Sequence, residues 1–119
     1  MGFWRKELID FALDHETLRH MTEQRAWIAR EPANALPYKN LAQLYRIQGR
    51  REEALGLLLE AVRLDDRFAA AHVELSQIYA VLADYAAAWQ HARLAESNGD
   101  RSAVELLERH GVLKSRAFP

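Results

Sequence analysis

Apolar residues recur along this chain at three-and-four spacing, as in Leu41, Leu44, Tyr45 and Ile47, or Leu55, Leu58, Leu59 and Val62. That is the period of a helix with one buried face. No run alternates β-branched and polar residues, so no strand is expected. The pattern predicts helices over 3–14, 16–30, 36–48, 51–64, 69–82, 85–97 and 102–110. The punctuation agrees with it. Gly49 and the Asn98-Gly99 pair follow the third and sixth helices where left-handed C-caps belong, and Ser102 with Glu105 three residues on has the spacing of a capping box. Connections this short make neighbouring helices antiparallel, so the expected fold is all-α, a series of helical hairpins.

The chain also repeats itself. An offset of 34 residues pairs Leu41 with Leu75, Gln43 with Gln77, Tyr45 with Tyr79, Ala54 with Ala88, Ala61 with Ala95 and Asp66 with Asp100. Identities at one fixed offset, placed where a helix pair buries its contacts, mark an internal repeat. Tyr38, Leu41, Ala42, Tyr45, Gly49, Ala54, Leu58 and Ala61 in one copy, and His72, Leu75, Ser76, Tyr79, Ala88, Ala92 and Ala95 in the next, resemble the tetratricopeptide repeat. The small residues let paired helices approach closely, while Tyr45 and Tyr79 fill the gap between hairpins. Asp66 and Asp100 stand where that family usually closes with proline.

The resemblance implies a right-handed α-α superhelix of antiparallel hairpins in a single domain over 1–119. Its parts are a degenerate repeat at 1–34, repeats at 35–68 and 69–102, a capping helix at 103–111 and a tail at 112–119. Trp4, Leu8, Phe11 and Pro32 fit the frame of the first repeat. Its second helix departs from the frame: His20, Gln24 and Trp27 fall where Ala, an apolar residue and Ala belong, and a one-residue shift restores the register through Met21 and Ile28. Leu106 and Leu107 on the last helix are placed to cover the open end of the stack.

Composition narrows the chemistry. Sixteen Lys and Arg against seventeen Asp and Glu leave a formal net charge of −1, which gives no bulk attraction to phosphate backbones or anionic lipid. Neither nucleic acid nor membrane is an expected partner. The absence of cysteine removes disulfides, thiolate ligands and a cysteine nucleophile. No signal-peptide core or membrane-spanning run is visible, so a cytoplasmic protein is expected by elimination. No nucleophile elbow or phosphate loop appears, and the five-residue spacing of His15 and His20 misses the helical spacing of a metal-binding pair. No catalysis, cofactor or metal is expected. His72 is placed in the core with a polar edge, His91 and His110 on helix surfaces, and Glu52 and Glu53 in a first helical turn that suits the dipole.

The resemblance also implies that the first helix of each pair lines a concave groove for a protein or peptide. The groove residues are then Arg5 and Ile9, then Lys39, Asn40, Gln43 and Arg46, then Val73, Glu74, Gln77 and Ala80. Lys39 and Asn40 match fragments of the family's clamp for a peptide carboxylate. Val104 and Glu108 stand where its last basic residues would be, so that clamp is not expected. Arg5, Lys39 and Arg46 make one end of the groove basic, suited to an acidic or helical segment. The alternative is a structural subunit or assembly factor that docks through an aromatic N-terminal edge at Phe3 and Trp4, or through the convex face, with self-association through the N-terminal helices.

Overall fold

The computed structural model describes residues 2–112, and for positions 2–5, 7, 10 and 11 the course of the helix alone. The described residues form six α-helices and no strand: α1 (Gly2–Arg30), α2 (Ala35–Ile47), α3 (Arg51–Leu64), α4 (Ala69–Val81), α5 (Tyr85–Ser97) and α6 (Ser102–Arg109). From α2 onward each helix lies within a residue of its expected bounds. α2 packs on α3 and α4 on α5 as two hairpins, with α1 against α2 and α6 against α5 and α4.

The contacts explain the sequence. Ala42, Ala54 and Ala61 are fully buried where α2 crosses α3, and Ala88, Ala92 and Ala95 are fully buried along α5. The small side chains let the axes come close. Ser76 holds the place that Ala42 has in the preceding hairpin, and its Oγ donates to the Ala88 carbonyl at 2.8 Å, tying α4 to α5. One core runs from Met21 through Leu41, Leu58 and Leu75 to Ile78, and a second gathers Trp89, Val104 and Leu107. Tyr79 packs against both. Leu107 is buried in that second core, and the Trp89 indole donates to the Val112 carbonyl at 3.2 Å, which secures the turn after α6.

The turns after α2, α4, α5 and α6 share one construction. The second residue after the helix has positive φ at Gly49 (77°), Ala83 (62°), Gly99 (98°) and Gly111 (65°). In each, the following amide reaches back to a carbonyl five residues earlier: Arg50 to Tyr45, Asp84 to Tyr79, Asp100 to Ala95 and Val112 to Leu107, all at 2.9 Å. This hydrogen bond and the left-handed residue before it form the Schellman turn.

Two expectations are corrected. First, the break expected between 14 and 16 is absent, because α1 is one continuous helix of 29 residues. Nothing between Gly2 and Pro32 breaks a helix, so Asp14, His15 and Glu16 simply continue it. Residues 2–34 therefore contain no hairpin. The shifted register does hold: Met21 is 1% exposed and Ile28 packs against the same core, whereas Trp27 donates outward to Glu31 at 2.8 Å. Second, Ser102 is the first residue of α6 and its side chain caps nothing. The Asp100 carboxylate accepts the Ser102 amide at 2.9 Å instead, and bonding to Ser102 holds Asp100 below the ordinary carboxylate range. The expectation for the tail falls on 113–119, outside the described residues.

Candidate partner-binding groove

α2 and α4 are the first helices of the two hairpins, and the expected groove residues lie on their facing sides at three-and-four spacing. They are already linked across the gap. The Gln43 amide donates to Glu74 Oε1, and Arg46 donates to Gln77 Oε1 at 3.4 Å. One step toward α1, Asn40 donates to Gln24 Oε1 at 3.2 Å. Lys39 is half-buried on the same helix, and its charge acts on Glu74. Five of the residues, Asn40, Gln43, Arg46, Glu74 and Gln77, thus form a polar rail that continues onto Gln24. Arg5, Phe3 and Trp4 belong to the positions whose side chains are outside the description.

Glu74 is the unusual member. It is 8% exposed, and its Oε2 is buried with no hydrogen-bond partner. Burial raises its pKa above the ordinary carboxylate value, and the Gln43 amide, Lys39 and Arg46 oppose that rise. The basic end expected from Lys39 and Arg46 is therefore spent partly within the protein, on a carboxylate two helices away in sequence.

Farther along α4 the surface turns apolar. Gln77, Ala80 and Val81 form a cavity of about 260 Å³ with Ala103, Leu106, Leu107, His110 and Val112 of α6 and its turn. Glu74, Gln77 and Val81 follow one another on one side of α4, so the buried carboxylate and the cavity are neighbours along that helix. Ala80 was expected here. The contribution of α6 was not, because its apolar residues read as an end cap, and Leu107 both belongs to the second core and lines the cavity. His110, expected at the surface, is exposed and also lines the cavity. Val104 is buried in the second core, so no basic residue faces the groove from that place.

His91 corrects a further expectation. It lies between α4 and α5, stacked at 5.2 Å on His72 and at 5.6 Å on Tyr79. His72 Nε2 lies 2.8 Å from the Asp66 carbonyl, and the two Nδ1 atoms are 3.0 Å apart. A carbonyl only accepts, so neutral His72 carries its proton on Nε2 and His91 donates from Nδ1. Burial, and then the neighbouring His72, push the His91 pKa down to about 4. A histidine on an exposed-looking helical position gives no sequence signal of this pairing.

Among the described residues no group of three or more His, Asp or Glu is placed to hold a metal, and no helix is long and apolar enough to cross a membrane. A scan against protein-family models finds no match to this chain, and a search of curated proteins returns no relative.

Proposed function

We propose that the chain is a non-catalytic scaffold of the tetratricopeptide kind, a right-handed superhelix of helical hairpins that holds a peptide or protein segment in the groove between α2, α4 and α6. The observation that carries this reading is the pairing in one groove of a buried carboxylate lacking a second donor with an adjoining apolar cavity. An unsatisfied buried oxygen costs about 1–3 kcal/mol, and a ligand that donates a hydrogen bond to Glu74 Oε2 relieves it. The 34-residue repeat adds support, since its two copies coincide with the two hairpins. The expected occupant is an acidic or helical segment, its acidic groups meeting Lys39 and Arg46 and one apolar side chain entering the cavity.

Capture of partners from the cell that makes the protein tests the groove by comparison of variants. Ala80→Arg puts a charge into the cavity, and Lys39→Glu with Arg46→Glu inverts the basic end. Arg63→Glu, exposed on α3, is the control. The same bound protein should be lost with both groove variants and retained with the control, all three melting as folded helical proteins. Retention by both groove variants overturns the proposal. It would favour the second reading, a subunit that docks through α1, for which the exposed Leu8, Leu13 and Leu18 speak.

A further inference from the structure

We propose that the amino-terminal half of α1 pairs with a second copy of this chain, parallel and in register, along a seam containing Leu8, His15, Leu18 and Thr22. The first observation is an imbalance within one helix. α1 docks on the body through Met21, Gln24, Arg25 and Ile28: Met21 and Ile28 enter the core, Gln24 bonds Asn40, and Arg25 donates to the Tyr45 hydroxyl at 2.5 Å. Upstream of this contact Leu8, Ile9, Leu13 and Leu18 are 65%, 51%, 60% and 51% exposed. A helical stretch of that length is marginal alone in water, and four large apolar residues on it remain hydrated in the monomer. A partner helix covers two of them, Leu8 and Leu18, which share one face.

The spacing selects the face. Leu8, His15, Leu18 and Thr22 follow the four-and-three steps of a coiled-coil seam, and the sequence extends the same steps through Trp4 and Phe11. At 3.6 residues per turn this seam lies roughly a third of a turn from the docking face of Met21, Gln24 and Ile28. A two-fold axis along the seam therefore carries the two folded bodies on opposite flanks.

Charge selects the partner and the direction. Asp14 and Arg19 flank the seam on its two sides, five residues apart, which is the offset at which flanking positions of two parallel in-register helices meet. Each parallel pair then forms Asp14 to Arg19 contacts twice by symmetry. An antiparallel pair through the same seam sets Asp14 against Asp14. Arg19 bonds Glu16 of its own helix at 2.5 Å, with both side chains more than half exposed, so it is free to be shared at little cost.

Sedimentation equilibrium over a micromolar to millimolar series reads the assembly. The expected result is a monomer–dimer equilibrium that Leu18→Glu weakens at least about tenfold and Leu13→Glu, off the seam, leaves unchanged. Asp14→Arg weakens the dimer, and adding Arg19→Asp restores it. Because the chain has no cysteine, Thr22→Cys gives one thiol, and oxidation should link two copies only if residue 22 meets residue 22. A monomer at every concentration overturns the proposal. So does a dimer that resists Leu18→Glu, or one that Thr22→Cys fails to cross-link. Thermal melts of each variant separate loss of pairing from loss of fold.

Discussion

Ala83 occupies the left-handed position that glycine fills in the other three turns, at φ 62°. An L side chain there costs about 1–2 kcal/mol, partly offset because alanine restricts the unfolded chain more than glycine does. Ala83→Gly should stabilise the protein by about 0.5–1 kcal/mol, read as a higher midpoint in urea at unchanged slope. Two titrating residues pull stability in opposite directions. His91 has a folded pKa of about 4, below its ordinary 6.5, so the unfolded chain binds more protons between those values. Its contribution is complete above about pH 6.5 and is lost as pH falls toward 4, with a slope of at most about 1.4 kcal/mol per pH unit. Glu74 has a raised folded pKa, so the folded state loses stability as pH climbs from the ordinary carboxylate value through the raised one. His91→Gln should flatten the acidic fall. Glu74→Gln should raise stability at neutral pH by about 1 kcal/mol, and denaturant midpoints measured across pH 4–8 check both directions.

α3 separates two effects of adding side-chain volume. Ala54 is fully buried against α2, whereas the Gly56 Cβ position faces open space. Ala54→Leu should cost about 1–3 kcal/mol by overpacking the crossing, and Gly56→Ala should add up to about 1 kcal/mol of helix propensity; thermal melts of the two variants should move in opposite directions. Helices from α2 to α6 were legible because three signals agree there: apolar spacing, turn residues and the 34-residue repeat. α1 was misread where the repeat frame outweighed a local sequence with no helix breaker in it. Ser102 was misjudged because Asp100, two residues upstream, supplies the acceptor at this turn. That Gln43 and Arg46 of α2 face Glu74 and Gln77 of α4 was legible from repeat position alone. The orphan oxygen of Glu74, the Gln24 contact and the cavity wall from α6 were not, because each depends on where a third helix comes to lie.

Taken together, the helices make an elongated body of 56 × 39 × 22 Å with a radius of gyration of 16.5 Å, against about 13.5 Å for a compact chain of this length. α1 supplies much of the excess, since only its carboxy-terminal part contributes to a core. In a stacked array each helix pair is stabilised mainly by its neighbours, so local stability should fall from the middle of the stack to its unsupported end. The amides of Leu41, Leu58, Leu75 and Ala88 should exchange with solvent only by near-global unfolding, and those from Ala12 to Leu18 by fraying, orders of magnitude faster. Exchange at the two sets should also respond differently to protein concentration. Pairing through α1 stabilises only the species in which that segment is covered, so protection of Ala12–Leu18 should rise with concentration and vanish in Leu18→Glu, while the slowest core amides shift far less. Hydrogen exchange at two concentrations reads both sets in one experiment, and equal protection across the chain would contradict a stability gradient set by neighbour contacts.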